Sequence, residues 1–548
     1  MQGSCSGQDG LRCRKGDLVP LSISRTSKLS IRREDKEEEE VVSLQGKVRG
    51  EEAMVAQMPT EEEEEPMSPA ARLFRQPRFN CFIIATMGFA KRIDVDVVKA
   101  GLEATLVRHP RFSSVQVFDG GSSKWVRTKV ALEDHLVLVS PDTDAVASPD
   151  IFVEDYIAGL TRKPLTDDSR PLWDLHILNL RTTDAEAVVV FRIHHSLGDG
   201  ISLMSLLLAC ARKASDPEAL PSLPGGGGGG RRLLPAGNVS DSRGWCARVL
   251  AILVGLCAAL RMAWNTVVDV LLFVATSAFL RDTKTPVKGT EGAELRPKRF
   301  VRRSLSLADV KSVKNAAGST INDVLLAVTT AGLTRYLSRR YEGESDDGKG
   351  KRQILPKNIR FRSTVLVNLR PSPGIHALAD MMEEGNNNSR RWGNWLGYII
   401  IPFSISKRED PLEYMRVAKA IADRKKCSLE AIFTYASASL LVKIFGVKVA
   451  CALSHRVLSH TSFSFSNVVG PVEEVAFFGH PMVYLAPSVH GHPHALTVHF
   501  QSYMDKMELV VAVDETAIPD PHRLCEDFAE SLNQMKDAAD AIRTTPQT

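Results

Sequence analysis

The sequence predicts an α/β protein in which mixed sheets are flanked by helices and the chain is divided into two domains. Its 548 residues exceed the ~250–300 residues beyond which a single hydrophobic core stops growing. Strand-like apolar runs alternate with helical periodicity along most of the chain. A composition of 44% hydrophobic and 24% charged residues is typical of a globular protein. The net charge of only +4 and the lack of a basic face exclude nucleic acid as an expected partner.

The first 66 residues are polar and charge-rich, with acidic blocks at 37–40 and 61–65. This composition predicts a disordered extension. A transit peptide is the alternative interpretation of residues 1–33, and Met54 is a second possible start. The stretch has no apolar segment of the kind found in secretory signals. The nine cysteines are scattered without a C-x-x-C pair, which favours reduced thiols and a catalytic body that faces the cytosol.

Caps and periodicity predict the regular elements on either side of the chain's centre. Asp94 is expected to cap a helix that runs through Arg108, and Asp410 to cap a later one. Further elements are predicted as strands at 115–118, 125–130, 173–177, 364–370, 393–402 and 507–513, and as helices at 306–315, 320–337, 428–445 and from 521 onward.

One stretch combines regular structure with reactive side chains. An apolar, β-branched run ends in His194 and His195, and Asp199 and Gly200 precede a second apolar run. The pattern predicts a strand, a loop and a helix. A histidine at the end of a strand is held by the scaffold and exchanges protons near neutral pH. Asp199 is placed to fix the loop or the imidazole, and Gly200 permits a tight turn or a close approach to a ligand.

The middle of the chain, residues 216–300, predicts a Gly-rich linker followed by an apolar, membrane-associating segment at 249–280. Arg261, Asn265 and Asp269 interrupt that segment at helical spacing and form one polar stripe. We expect helices that lie in the membrane interface, because an ionisable residue at the bilayer centre costs about 3 kcal/mol. A single spanning helix and a helix buried between domains are the alternatives.

Several histidines near the C-terminus raise the question of a metal site. His490, His492 and His494 alternate along the chain, and His499 follows. Imidazole suits zinc, but Pro493 interrupts the strand and no cysteine or carboxylate completes a ligand set. The sequence therefore predicts no metal.

The pattern H-H-x-x-x-D-G at 194–200 resembles the active-site motif of the wax ester synthase/diacylglycerol acyltransferase family, which is built on the chloramphenicol acetyltransferase fold. Further stretches resemble the family at 67–74, 171–173, 322–323, 368–371, 393–402 and 466–471. The resemblance implies two chloramphenicol-acetyltransferase-like domains with the active-site tunnel between them. Because residues 216–300 are predicted to form the linker and the apolar segment, the resemblance places the N-terminal acyltransferase domain at 67–215 and the C-terminal one at 301–548.

The resemblance also implies an activity. His195 is expected to act as the general base, His194 to shape the pocket and Asp199 to hold the loop. The acyl donor is acyl-CoA, a substrate, and no cofactor is expected. The acceptor is a fatty alcohol, giving wax ester, or diacylglycerol, giving triacylglycerol. The expected partner surface is the endoplasmic reticulum membrane, with the catalytic body in the cytosol and the plasma membrane as the alternative.

Four further polar residues have both a functional and a structural interpretation. Asn322 and Asp323 match a family motif that borders the acyl-CoA tunnel, but Thr320 and Asp323 also form a helix capping box. Ser466 and Asn467 end a strand that lies opposite the catalytic loop in the family's fold. They are candidates to donate a hydrogen bond to the developing oxyanion, or they serve a strand-to-turn transition.

Two rival functions use the same fold. The first is a soluble acyltransferase that acts on a polar or phenolic acceptor. The Asp-Phe-Gly-Trp-Gly motif expected of plant enzymes of that type is absent from the sequence. The second is a non-catalytic lipid-binding protein, against which the intact H-x-x-x-D-G pattern argues.

Overall fold

The computed structural model describes residues 64–119, 122–140, 146–224, 245–343, 355–369, 374–384 and 392–544. Its strands, in chain order, are β1 (Glu64–Pro66), β2 (Phe82–Phe89), β3 (Ser114–Asp119), β4 (Ser122–Arg127), β5 (Leu136–Val139), β6 (Trp173–Leu178), β7 (Ala187–His194), β8 (Ala211–Lys213), β9 (Arg299–Ser306), β10 (Arg362–Asn368), β11 (Leu396–Pro402), β12 (Phe463–Val468), β13 (Val475–Phe477), β14 (His480–His490), β15 (Leu496–Tyr503) and β16 (Lys506–Val513).

The α-helices of the described residues flank these strands. They are α1 (Pro69–Leu73), α2 (Val95–Ala104), α3 (Pro149–Thr161), α4 (Gly200–Ala209), α5 (Trp245–Ala278), α6 (Leu307–Ala316), α7 (Ile321–Gly343), α8 (Ile375–Glu384), α9 (Pro411–Lys426), α10 (Glu430–Ser459) and α11 (Pro521–Thr544). The mixed α/β class predicted from the sequence is confirmed.

The first large sheet has seven strands in the order β5-β6-β7-β2-β14-β13-β8. Its interior strand β7 is buried along its whole length, which explains why the sequence there is a largely continuous apolar run and does not alternate. Strands β13 and β14 come from the C-terminal half of the chain, and β14 pairs antiparallel with β2. The C-terminal half therefore completes the sheet that positions the double histidine.

The second large sheet has six strands in the order β11-β10-β12-β15-β16-β9. Its neighbours β10, β12 and β15 run parallel. Phe463, Phe465 and Phe500 from these strands enter a core cluster with buried residues of α7, α9 and α11. A small sheet, β1-β4-β3, stands apart from both large ones.

The predicted helix caps are present. The Asp94 carboxylate accepts hydrogen bonds from the backbone N–H groups of α2's first turn, and Ser306 and Asp410 cap α6 and α9 in the same way. The backbone N–H of Thr320 donates to the Asp323 carboxylate (2.8 Å), and the Asp323 N–H donates to the Thr320 hydroxyl (3.3 Å). This reciprocal pair is the predicted capping box.

Several elements differ from the expectation. Helix α2 ends at Ala104, and a separate 3₁₀ turn at Leu106–Arg108 follows. The helix expected at 428–445 does leave helical geometry at Gly446, which has a φ of 80°. The helical stretch that follows this kink to Ser459 was not predicted, and neither were α3 and α8.

The apolar segment is one helix, α5, of 34 residues. Asn265 and Asp269 face the protein, and the Asp269 carboxylate receives the Lys425 ammonium at 2.9 Å. Because α5 is continuous through all three positions, the predicted polar stripe is confirmed, and Arg261 is its exposed member. Interaction with α9 explains the two polar residues that interrupt the apolar sequence. Since most of the helix's large apolar side chains are exposed, the alternative of a helix buried between domains is wrong.

Helices α5 and α10 each contain a stretch long and apolar enough to cross a membrane, judged by length and composition. They pack against each other. We call their solvent-facing apolar side chains the apolar surface, comprising Ile252, Leu253, Leu256, Leu260, Trp264, Leu271, Leu440, Ile444 and Phe445. Such contiguous apolar area is unusual on a soluble monomer.

Some predictions concern residues outside the described ranges. The extension predicted to be disordered lies outside them up to residue 63. Its last three residues form β1, which pairs with β4, so the prediction is wrong for residues 64–66. The glycine run at 225–230 and the polar stretch at 385–391 also lie outside. The same applies to most of the loop expected at 341–351.

Candidate active site

A cavity of about 170 Å³ is lined from both large sheets and from the start of α4. Side chains of β2, β7 and β14 form one side, and side chains of β10, β11, β12 and β15 form the other. Most of the lining is apolar. The polar lining residues are His195, Asp199, Asn368, Ser464, Ser466, Asn467, Ser488 and His499.

His195 occupies the first position after β7 and lines this cavity. Its backbone N–H donates to the Cys81 carbonyl at 2.9 Å, which ties the loop to the residue before β2. The Phe74 ring stacks on the imidazole with centroids 4.3 Å apart. The ring atom Nδ1 is buried and meets no hydrogen-bond partner among the described residues. The side chain is thus oriented by packing and by its backbone.

The electrostatic environment keeps this imidazole neutral. Burial lowers the pKa of His195 below its ordinary value of 6.5. The interaction of the ring with its own backbone, the Asp199 carboxylate and the Asn394 side chain partly oppose that effect. A neutral imidazole near pH 7 is the form that accepts a proton. The arrangement therefore supplies a base in an apolar cavity.

His194 does not line the cavity. Its Nε2 donates to the Asn80 side-chain oxygen (2.8 Å), and its Nδ1 accepts from the Ser196 hydroxyl (2.7 Å). Burial, followed by the charge of Arg75, holds the pKa of His194 well below 6.5. With both ring nitrogens engaged, His194 anchors the loop that follows β7.

Asp199 and Gly200 begin α4. The Asp199 carboxylate accepts from the Ser202 N–H at 2.9 Å as the helix N-cap. Gly200 has no left-handed backbone angle, so the tight-turn explanation for this glycine is wrong. A Cβ added there would lie 3.9 Å from the Val468 side chain, in ordinary contact. Gly200 lines the cavity, which leaves close approach to a ligand as its remaining predicted role.

Two residues from the second half of the chain hold the loop between β7 and α4. The Asn394 side chain donates to the carbonyl oxygens of His195 (2.9 Å) and Ser196 (3.2 Å). The Trp392 indole donates to the Leu197 carbonyl at 2.7 Å. Sequence reasoning assigned Asn394 to a strand, whereas β11 begins two residues later. The signal that could have identified Asn394 was its position in the stretch 393–402, which resembles the family.

Asn467 lines the cavity and also contacts the Asn-Asp motif at 322–323. Its side-chain amide donates to the Asn322 side-chain oxygen at 2.6 Å, and both Ser466 and Asn467 line the cavity. Asn322 and Asp323 do not line it. Asp323 instead completes the capping box and lies 3.3 Å from the Lys426 ammonium. The structure thus brings Ser466 and Asn467 to the same cavity as His195 and leaves Asp323 at the start of α7.

The C-terminal histidines have separate surroundings. His492 bonds to the Thr497 hydroxyl (3.0 Å) and His494 to the Thr461 hydroxyl (2.8 Å). Burial lowers the pKa of His490 and of His492 to about 3 each. Within the described ranges, no group of three or more His, Cys, Asp or Glu side chains is placed to hold a metal ion. His499 alone among them lines the cavity.

Two family models match this chain. The wax ester synthase/diacylglycerol acyltransferase catalytic domain matches residues 90–325, and the C-terminal domain of the same family matches residues 392–536. The chain is similar to wax ester synthase/diacylglycerol acyltransferase 4 of Arabidopsis thaliana, with 51% identity over 87% of this chain and 91% of that protein. Protein 6 of the same series is 49% identical over 87% and 94%.

Solved structures agree on the fold. A wax ester synthase/diacylglycerol acyltransferase from Marinobacter aquaeolei VT8 superposes with a TM-score of 0.55 at 18% identity, covering 87% of this chain and 99% of that one. A trichothecene 15-O-acetyltransferase from Fusarium sporotrichioides gives a TM-score of 0.52 at 13% identity, covering 87% and 95%.

Proposed function

Because the chain belongs to the wax ester synthase/diacylglycerol acyltransferase family, we propose that it transfers a long-chain acyl group from acyl-CoA to a lipid hydroxyl. A fatty alcohol then gives a wax ester, and diacylglycerol gives triacylglycerol. Identities near 50% over nearly the full length of the Arabidopsis proteins support this activity. The observation that carries it is the buried, neutral His195 in an apolar cavity between the sheets.

In this scheme, His195 removes the proton from the acceptor hydroxyl. The oxygen attacks the thioester carbonyl, the tetrahedral intermediate collapses, and His195 returns the proton to the departing CoA thiolate. General-base catalysis of this kind contributes about 10²- to 10⁴-fold to the rate. The step balances with acyl-CoA and the acceptor alone, so the scheme includes no cofactor.

The neighbouring residues have supporting roles. His194 anchors the loop through its two hydrogen bonds, and Asp199 caps α4 while its charge keeps the imidazole basic. We assign the oxyanion contact to Ser466 or Asn467 because both line the cavity. Asn322 orients the Asn467 amide. Preorganised donors of this type stabilise the negative charge that develops in acyl transfer.

We also propose that the apolar surface of α5 and α10 lies in the interface of the endoplasmic reticulum membrane. Asn265, Asp269 and Phe273 bury one face of α5 against the protein, which favours a helix lying along the body over one that spans the bilayer. The exposed face remains for lipid. The cysteines of the described residues are free thiols, which supports a catalytic body on the cytosolic side.

The first experiment measures ester formation by membranes that contain the protein. Palmitoyl-CoA is supplied with hexadecanol or with diacylglycerol, and His195→Ala and wild type are compared. We expect ester from the wild type and a loss of at least about 100-fold in the variant, with its melting temperature retained. Absence of ester with both lipids from folded wild-type protein would refute the proposal and direct attention to polar acceptors.

The second experiment tests the membrane surface by flotation with phosphatidylcholine–phosphatidylserine vesicles. The double variant Leu256→Glu/Leu260→Glu should remain in the dense fraction, whereas wild type should float. Ile542→Glu on α11 is the matched control, because Ile542 (60% exposed) and Leu260 (61%) are equally accessible. Unchanged flotation of the double variant would contradict the docking role. Cofractionation with an endoplasmic reticulum marker, and protease access to the body in sealed microsomes, test the compartment.

A further inference from the structure

His499 is a buried histidine of the cavity that the acyl-transfer scheme leaves unused. It is only 7% exposed, and it lines the cavity from β15, the strand next to β12. Neither ring nitrogen meets a hydrogen-bond partner among the described residues. A buried polar atom without a partner costs about 1–3 kcal/mol, so this site is built to receive a polar group from something that enters the cavity.

The chemistry of the imidazole defines that group. Burial lowers the pKa of His499 to about 4, so the ring is neutral near pH 7 and offers one N–H donor and one acceptor nitrogen. Ser488 lines the same cavity, and its buried hydroxyl also meets no partner in the described ranges. Two neutral hydrogen-bonding groups in an apolar lining suit an uncharged oxygen function such as an ester carbonyl.

The strand register places the backbone of His499 away from the start of α4. Val468 on β12 lies beside Gly200 at the start of α4, and Ser466, two residues earlier, is paired with His499. At ~3.3 Å per residue along a strand and ~4.8 Å between strands, the backbone of His499 is displaced by about 8 Å from that point. Reacting groups approach to about 3–3.5 Å, so this offset suits a second oxygen of the substrate.

Only one of the two acceptor classes has such a second oxygen. A fatty alcohol has a single oxygen, which reacts at His195. A diacylglycerol also has two ester carbonyls, joined to the reacting hydroxyl through the glycerol carbons. We propose that His499 donates its N–H to an ester carbonyl of diacylglycerol and thereby favours this acceptor over a simple fatty alcohol. This inference rests on the proposed acyl transfer and deepens it by assigning an acceptor-binding residue.

The test compares kcat/KM for dioleoylglycerol and for hexadecanol at fixed palmitoyl-CoA. The proteins compared are wild type, His499→Leu, His499→Gln and the control His494→Leu. His499→Leu should lower kcat/KM for dioleoylglycerol about tenfold and change the hexadecanol value less than threefold. His499→Gln retains an N–H donor and should recover part of the loss. His494→Leu is the matched control, since His494 is equally buried but does not line the cavity, and it should leave the ratio unchanged.

The outcomes separate the two proposals. A parallel fall for both acceptors in His499→Leu, or an unchanged ratio, would overturn the acceptor-binding role while the acyl transfer itself stands. If His499→Leu does not fold, His499→Gln decides the test. A wild-type ratio of kcat/KM for dioleoylglycerol to that for hexadecanol in His499→Gln supports the role, and a ratio lowered tenfold or more overturns it. Wild-type protein that forms no ester from either lipid would overturn the acyl transfer and this inference with it.

Discussion

Substitution of Asn394 tests whether the second half of the chain positions the catalytic loop. In Asn394→Ala, the carbonyl oxygens of His195 and Ser196 both lose their donor. A net value near 1 kcal/mol for a neutral hydrogen bond gives a loss of about 2 kcal/mol in the free energy of unfolding. With an entropy of unfolding near 2.1 cal/mol/K per residue, a chain of this length should lose only about 2 °C in melting temperature.

The effect on catalysis should be larger than the effect on stability. The two lost bonds hold the loop on which the imidazole is mounted, and a displacement of about 1 Å in a reacting group costs on the order of 100-fold in rate. We expect kcat to fall about 10- to 100-fold with KM for palmitoyl-CoA nearly unchanged, because the lining of the cavity is intact. Steady-state kinetics and thermal unfolding of the same preparation measure both quantities.

Asn179 provides the matched control. Its side chain also makes two hydrogen bonds to backbone, accepting from the Ile93 N–H (2.7 Å) and donating to the Ile93 carbonyl (3.0 Å), and it does not line the cavity. Asn179→Ala should therefore lose similar stability and keep its kcat. If Asn394→Ala lost stability but kept its kcat, the positioning argument would be refuted.

Three further predictions follow from the contacts. Asp199→Asn keeps a good N-cap but removes the charge that raises the pKa of His195. Since activity is lost as pH falls through that pKa, the acid limb of kcat/KM should move to lower pH. A move to higher pH would contradict the assignment. Asp269→Ala breaks buried ion pairs to α9 and should lower the free energy of unfolding, measured by chemical denaturation, by about 3–5 kcal/mol. The control Arg261→Ala, at an exposed position, should lower it by less than about 0.5 kcal/mol. Equal losses would argue against the contact. Asp323→Ala should cost about 1 kcal/mol by removing the capping box and leave kcat unchanged, so a collapse of kcat in stable protein would restore a catalytic role.

Local rules account for the elements that the sequence predicted well. The capping boxes and N-caps depend on residues within four positions of one another, so Asp94, Ser306, Thr320 and Asp410 were identified without tertiary information. The same holds for β7, its loop and α4, whose contiguous motif placed His195 at the end of a strand. The helix predicted at 428–445 likewise ends where Gly446 leaves helical geometry, although the helical stretch that follows to Ser459 was not predicted.

Contacts between distant parts of the chain required the structure. Asn394 is 199 residues from His195, and Asp269 is 156 residues from Lys425. Periodicity placed Arg261, Asn265 and Asp269 on one helical stripe, but it contained no information about how far along the helix the protein body extends. The unpartnered ring of His499 is likewise visible only when β15 and the opposite sheet are assembled.

By itself, the sequence determined the fold class, the strand–loop–helix carrying His194, His195 and Asp199, and the family resemblance, because these depend on contiguous residues. Tertiary structure decided which of two adjacent histidines faces the cavity, which side of α5 is exposed, and which polar residues share the lining. The physical reason is that burial and hydrogen-bond partners arise from packing between segments far apart in the chain. A linear pattern specifies each segment's own geometry but not its neighbours.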